Sequence, residues 1–217
     1  MKLLAVDSNS IMNRAFYGIK LLTTRSGFYT NAVYGFLTIF LATISEVRPD
    51  AVVFAFDMHG PTFRHNLYDA YKAGRHKPPD ELTAQFPLIK ELLRDLGYPI
   101  LESPGFEADD ILGTLADACE KAGWDCVIST GDRDSLQLVT EHVSVRLAST
   151  KMGAPVSTLM GPEEIFGAYG VRPKQLIEVK ALMGDPSDNI PGVPGVGEKT
   201  ALDLIAKYGS VDYVYDH

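Results

Sequence analysis

Three short apolar runs limit what this chain can fold into: Leu3–Val6, Ala51–Phe56 and Cys126–Thr130. None shows the strict apolar–polar alternation of a strand with one wet face. Short continuous apolar strands are buried on both faces, as in parallel sheets covered by helices. Longer segments with helical spacing lie between the runs. Strands alternating with helices predict an α/β fold on a mostly parallel sheet.

The remaining elements follow from local chemistry. Ile11–Tyr17 starts a helix after the turn residues Ser8, Asn9 and Ser10. Residues 31–47 read as a long apolar helix with Asn31 as N-cap, stopped at Arg48-Pro49. A helix over about 80–96 places Leu82, Phe86, Ile89, Leu92, Leu93 and Leu96 on one face. Another runs to about Ala122 and ends at Gly123. Val143–Leu147 alternates and reads as an edge strand, and Lys151–Ser157 as a loop or hairpin. Residues 162–169 and 173–183 read as short helices begun by Pro162 and Pro173. The stretch Gly184–Gly197 is too rich in glycine and proline for helix or strand, and a helix follows from Glu198 to about Lys207.

Each buried run is followed within two residues by aspartate: Asp7, Asp57, and Asp132 with Asp134. In open parallel sheets the functional crevice lies beyond the carboxyl ends of the strands. A fourth acidic group, Glu107-Ala108-Asp109-Asp110, opens the helix before the third run. Two readings fit that quartet. Acids complement the positive end of a helix and cap its free N–H groups; alternatively, a divalent cation collects them. Converging strand ends favour the cation, because seven anions on one rim need raised pKa values or bound metal. Oxygen ligands without His or Cys suit Mg²⁺ or Mn²⁺ and disfavour zinc. Two such ions about 4 Å apart suit phosphate chemistry.

Net charge is −8 over 217 residues, which at first argues against a nucleic-acid partner. Without Asp7, Asp57, Glu107, Asp109, Asp110, Asp132, Asp134, Asp185 and Asp188, however, the remainder carries +1. From Arg64 to Lys77 four Lys or Arg stand against one Asp, interleaved with aromatics. Such a segment binds backbone phosphates, and Tyr71 or Phe63 offers a face to an unpaired base. The Gly192–Gly197 hairpin presents N–H groups ahead of a helix, a seat for phosphate. The spacing Gly195-Val196-Gly197-Glu198-Lys199-Thr200 is not that of a Walker loop. An Asp7 phosphatase is discarded, since Asn9 stands where a second acid belongs. Apolar residues make up 46%, no run is long enough to span a membrane, and Asp7 comes too early for a secretion signal. Cys119 and Cys126 read as reduced core thiols, and Trp124 as a packing residue.

Several blocks together resemble a known family. Asp7 with Asn13-Arg14-Ala15-Phe16, Phe56-Asp57 with Thr62-Phe63-Arg64-His65, and Tyr71-Lys72-Ala73-Gly74-Arg75 carry the likeness. So do Glu107–Asp110, Thr130–Asp134 and Gly184–Gly192. In this order they are similar to the 5′-nuclease, flap endonuclease-like family found at the N-terminus of bacterial DNA polymerase I. The resemblance implies a PIN-like (resolvase-like) sheet flanked by helices, a helical arch and a C-terminal helix-hairpin-helix. The implied division is a nuclease core over 1–160, with the arch at about 60–95, and a helical segment over 161–217 with its hairpin at about 184–197.

The resemblance also implies two sites for Mg²⁺ or Mn²⁺. Asp7, Asp57, Glu107 and Asp109 would surround the first, and Asp110, Asp132, Asp134 and Asp188 the second, with Asp185 close by. Asp109 is implied as a catalytic carboxylate, with Lys72 and Arg75 steadying the scissile phosphate. Arg14 and Arg64 match phosphate contacts and Tyr71 a stacking position. Gly192, Gly195, Gly197, Lys199 and Thr200 belong to the duplex-gripping hairpin, where a K⁺ would sit on carbonyls and Ser187. The expected activity is metal-dependent 5′-3′ exonuclease or 5′-flap cleavage of DNA carrying a 5′ end, flap or nick. The expected form is a monomer in a bacterial cytoplasm at the nucleoid, with a polymerase domain in a longer parent. Two departures stand out: Ser8 replaces the usual glycine, and the chain stops where the family domain continues for several helices. The second motivates an alternative, a DNA-junction-binding module with impaired catalysis.

Overall fold

The computed structural model describes residues 1–151 and 154–217. A six-stranded sheet forms its centre. Its strands are β1 (Lys2–Asp7), β2 (Ala51–Ala55), β3 (Ile100–Leu101), β4 (Asp125–Thr130), β5 (Val143–Lys151) and β6 (Ala154–Met160). The order is β3-β2-β1-β4-β5-β6, parallel except for the last pair. The order reverses direction at β1, between β2 and β4, so a crevice opens at the carboxyl ends of those three strands.

Helices cover both faces. They are α1 (Ser8–Gly18), α2 (Asn31–Val47), α3 (Phe63–Leu67), α4 (Asp80–Thr83), α5 (Gln85–Asp95), α6 (Ala108–Ala122) and α7 (Pro162–Tyr169). Strand β1 shows why its sequence does not alternate: Leu4 and Val6 join the core with Phe36, Phe40 and Phe54. Leu3 and Ala5 join the opposite core with Leu112, Cys126 and Ile128. Helices α1 and α2 approach so closely that a β-carbon on Gly35 would strike Ala15 and Ile19. Cys119 and Cys126 are buried free thiols, and burial pushes Cys126 up to about 12. Trp124 is half-buried beside them.

A third, smaller core joins α8 (Gln175–Met183), α9 (Glu198–Tyr208) and α10 (Val211–Asp216) around Val171, Leu182 and Ile205. Between α8 and α9 a two-stranded ribbon, β7 (Gly184–Asp185) and β8 (Ile190–Pro191), forms the base of a loop. Gly192 has a local reason to be glycine: its Cα lies against the backbone of Met183 and Gly184. Among the described residues no helix is long and apolar enough to cross a membrane.

Several local expectations change: α1 already begins at Ser8, and the stretch 184–197, expected to hold neither helix nor strand, carries the β7–β8 pair. Asn31 is not an N-cap: it is the first residue of α2, and its side chain donates to Phe16 O at 3.1 Å. The free N–H groups of Ala32 and Val33 are met by Gln85 Oε1 of α5, at 2.8 and 3.2 Å. Val143–Leu147 lies inside the sheet, because β6 pairs on its outer side and becomes the edge. The helix over 80–96 is two helices broken at Ala84, since Pro87 has no N–H for the Thr83 carbonyl. Of the loop or hairpin expected over 151–157, residues 154–157 pair with β5 as the start of β6, and 152–153 lie outside the described residues.

Candidate active site

The carboxyl ends of β1, β2 and β4 deliver the first aspartates. Asp7, the last residue of β1, is 4% exposed and accepts from Ser10 N at 3.0 Å, capping α1. Its other oxygen accepts from Thr130 Oγ1 at 2.6 Å, and that hydroxyl accepts from Asp132 N at 2.9 Å. One buried hydroxyl thus couples the ends of two strands. Burial pushes the Asp7 carboxyl up to about 6 despite those donors. Asp57 accepts from Ala108 N at 2.7 Å, tying the end of β2 to the start of α6, while Asn9 Oδ1 receives Asp57 N.

Helix α6 begins as its acidic sequence suggests. Glu107 is the N-cap, and Asp110 reaches back to accept Glu107 N at 2.9 Å. The same Asp110 carboxylate is held by both Arg64 nitrogens, at 2.8 and 2.7 Å. That bidentate pair lowers Asp110 and raises Arg64. Asp109, between them, has no hydrogen-bond donor among the described residues. Burial, then the charges of Asp7, Asp132, Asp57 and Glu107, push its carboxyl up to about 8.

Asp132 accepts from Asp134 N at 2.9 Å, and Glu107 and Asp188 are held by bases from distant elements. Lys72 Nζ donates to Glu107 Oε1 at 2.6 Å, and Arg75 to Asp188 Oδ1 at 2.6 Å. The Tyr71 hydroxyl lies 3.0 Å from both Glu107 Oε2 and Asp188 Oδ2. It has one proton to give two carboxylates. Burial and those charges push the phenol well above its ordinary range. The 70–75 segment also docks through its backbone: Lys72 N donates to Asp188 O, and Asn189 Nδ2 to Ala70 O, each at 2.9 Å.

Lys180, on the last turn of α8, donates to Asp134 Oδ2 at 3.2 Å, with Oδ1 at 2.9 Å, and to Asp185 Oδ2 at 2.7 Å. Burial opposes its charge, but the two acids outweigh burial and raise it. Asp185 falls to about 2: burial would raise it, and the bonds from Lys180 and Ser187 prevail. Asp134 stays raised because burial exceeds the help from Lys180.

A cleft of about 1190 Å³ opens over Asp109, Asp110, Asp134, Asp185 and Asp188, with Arg64, Tyr71 and Lys180 in its walls. Asp7, Asp57 and Asp132 do not line it. Among the described residues no three acidic, His or Cys side chains are yet drawn close enough to hold an ion. Their chemistry nevertheless fits a divalent cation: an all-oxygen set, mutual repulsion, and one buried carboxyl without a donor. Arg64, Lys72, Arg75 and Lys180 hold oxygens of Asp110, Glu107, Asp188, Asp134 and Asp185.

The expected DNA-binding residues divide. Arg64, Tyr71, Lys72 and Arg75 meet the carboxylates, and Tyr71 is only 5% exposed, so its ring face is covered. Arg14 instead reaches the Gly131 carbonyl at 3.4 Å. Gly192, Gly195 and Gly197 lie on the loop leading into α9; Gly195 takes φ +83°, and Gly197 is the N-cap. Lys199 and Thr200 are exposed on the first turn of α9; they do not line the cleft, although Glu198 and Leu202 of the same helix do. Ser187 Oγ donates to Asp185 Oδ1 at 2.7 Å. Lys180 and Thr130 were not singled out from sequence. The only local sign was a cation one helical turn before Asp185 and a hydroxyl closing a strand.

Residues 2–170 match the family model described as 5′-3′ exonuclease, N-terminal resolvase-like domain. Residues 171–217 match that described as 5′-3′ exonuclease, C-terminal SAM fold. DNA polymerase I of Caldicellulosiruptor bescii is 44% identical over 217 residues, all of this chain and 26% of that protein. DNA polymerase I of Bacillus subtilis is 45% identical over 211 residues, 97% of this chain and 24% of that one. The chain therefore spans about a quarter of the length of these relatives. Among solved structures, the bacteriophage T5 5′-exonuclease with divalent zinc ions bound superposes with a TM-score of 0.78 at 21% identity. The match covers 100% of this chain and 79% of that one. The catalytic core of Rad2 in complex with DNA gives a TM-score of 0.60 at 20% identity, over 99% and 64%. At these identities the structures establish the shared fold.

Proposed function

The chain belongs to the 5′-3′ exonuclease family, and on that premise we propose that it is a metal-dependent, structure-specific DNA nuclease. It would hydrolyse phosphodiesters near a 5′ end, flap or nick, as in primer or flap removal. One observation carries this reading. Six carboxylates, Glu107, Asp109, Asp110, Asp134, Asp185 and Asp188, line one cleft with Arg64 and Lys180, and Lys72 and Arg75 pair with Glu107 and Asp188. A site that must hold both cations and a polyanion needs both kinds of group.

Mg²⁺ or Mn²⁺ would be held by Asp7, Asp57, Glu107 and Asp109 in one position. Asp110, Asp132, Asp134 and Asp188 serve the other, with Asp185 beside it. Such ions supply Lewis-acid stabilisation of phosphate charge and acidify a water. The chain's own side chains do the rest. Thr130 fixes the Asp7 rotamer through its 2.6 Å bond. Asp57 anchors the start of α6, so the helix presents Asp109 to the cleft. Lys72 and Arg75, once released from Glu107 and Asp188, orient the scissile phosphate, a fixed geometry that lowers the barrier by positioning. The 184–197 hairpin and the start of α9 bind duplex backbone, with a potassium ion near Ser187. The working division is a nuclease core over 1–160 and a helical segment over 161–217. The protein would act as a monomer in a bacterial cytoplasm, as the nuclease part of a polymerase-containing protein like its relatives.

The test is cleavage of labelled 5′-flap, nicked and single-stranded DNA with Mg²⁺, with Mn²⁺ and with EDTA. Metal-dependent cutting at the junction is expected. Equal cutting in EDTA overturns metal dependence, and flap binding without turnover in either metal supports the binding-module alternative.

A further inference from the structure

Two exposed aromatic rings line the cleft. Phe106 is 48% exposed and Phe63 is 38% exposed, and both line the cleft with Asp109 and Asp110. Their ring centroids are 5.7 Å apart at 51°. The pair is held in place by backbone: Phe63 N donates to Gly105 O at 3.0 Å, and Phe106 N to Ser103 O at 3.2 Å. The Arg64 guanidinium lies 4.6 Å from the Phe63 ring centre, so one Phe63 face is already covered. Phe63 packs against Phe106, and Phe106 is the more exposed of the two. Phe106 immediately precedes Glu107, the N-cap of α6.

We propose that Phe106, backed by Phe63, is a stacking platform for an unpaired nucleobase of the strand whose phosphate enters the carboxylate cleft. The inference rests on the nuclease reading above and adds a subsite to it. A nucleobase fits because it has a π-face that needs no hydrogen-bond readout, and its own phosphate supplies the negative charge. The cations that would meet that charge, Arg64 and Lys180, line the same cleft. A flat aromatic ring beside a cation-backed anion seat matches one nucleotide: base on ring, phosphate on base-lined wall. Tyr71 cannot play this part as placed, because its ring is buried against His65 and its hydroxyl is engaged by the acids. The selectivity expected is for single-stranded over fully paired ends, with little preference among the four bases.

The experiment is binding and cleavage of 5′-flap DNA by the full chain, wild type, Phe106→Ala and Phe106→Trp. The flap carries a normal nucleotide, an abasic nucleotide or 2-aminopurine at each position near the junction. Stacking of one base corresponds to about a tenfold change in affinity. Wild type should lose about tenfold when one position is made abasic, and 2-aminopurine there should be quenched on binding. Phe106→Ala should lose about tenfold on the normal flap, lose nothing further at that abasic position, and fail to quench. Phe106→Trp should restore both. If wild type cleaves with Mg²⁺ while Phe106→Ala binds every flap equally well, the platform is wrong and the nuclease reading stands. An affinity loss in Phe106→Ala that is equal on normal and abasic flaps at every position also overturns it. If wild type neither binds nor cuts flap DNA, both fall.

Discussion

Lys72 donates to Glu107 Oε1 at 2.6 Å from a left-handed backbone, φ +57°, a conformation that non-glycine residues seldom adopt. The side chains are 21% and 13% exposed, so neither charge is well hydrated. The lysine therefore competes with any cation for Glu107. Removing it should tighten divalent-metal binding while depriving the phosphate of a partner. Lys72→Met is expected to bind Mn²⁺ several-fold more tightly by calorimetry and to cleave flap DNA at least about tenfold more slowly. Weaker Mn²⁺ binding by the variant would show that Lys72 organises the metal ligands instead of occupying them.

Asp109 and Asp7 set the pH response of the metal-free protein. Both carboxyls titrate higher folded than unfolded, at about 8 and about 6 against 3.8. The folded state therefore binds more protons across that window, and their contribution to stability falls as pH rises from about 4 to 8. Asp109→Asn removes the larger part. In EDTA its thermal midpoint should lie nearest to wild type at about pH 4 and pull ahead as pH rises. At pH 9 it should exceed wild type by at least about 3 °C, the equivalent of about 1 kcal/mol in a chain of this size. A constant offset at every pH would contradict this.

Thr130 holds Asp7 and Asp132 in register through one fully buried hydroxyl. Thr130→Val keeps the shape and leaves Asp7 Oδ2 and the Asp132 N–H without that partner. A loss of about 1–3 kcal/mol in stability is expected, with reduced Mn²⁺ affinity. Thr130→Ser should recover the metal affinity. Equal affinity in the valine variant would mean that Asp7 needs no such positioning.

Gln85 joins α5 to the start of α2, accepting from Ala32 and Val33 and donating to Asn31 Oδ1 at 3.0 Å. It is fully buried, so Gln85→Leu strands two N–H groups. Urea unfolding should show a loss of about 2–3 kcal/mol with cleavage per folded molecule unchanged. An unchanged midpoint would show that water or another group takes over the cap.

The parts legible in sequence were those whose cause is local. The apolar runs of β1, β2 and β4, and the acids directly after them, need only period and neighbours to be read. Glu107 and Asp110 likewise announce a helix start three residues apart. The misreadings and omissions come from partners far away in the chain. Gln85 displaces Asn31 as the cap of α2 from 53 residues on, and Thr130 meets Asp7 across 123. Lys180 reaches Asp134 across 46. β6 takes the edge from β5 through a pairing that the alternation of Val143–Leu147 cannot disclose. Nothing in the spacing of Tyr71 shows that its ring is buried.

The most direct test is Asp109→Asn with a 5′-flap substrate, measured for cleavage in Mg²⁺ and for binding. Asp109 is the buried site carboxyl with no donor among the described residues, surrounded by four other acids, and the proposed function assigns it a cation as partner. Cleavage should fall by at least about a hundredfold while flap affinity stays within about twofold of wild type. Cleavage at the wild-type rate by the variant would contradict the assignment of this rim as a metal-dependent nuclease site.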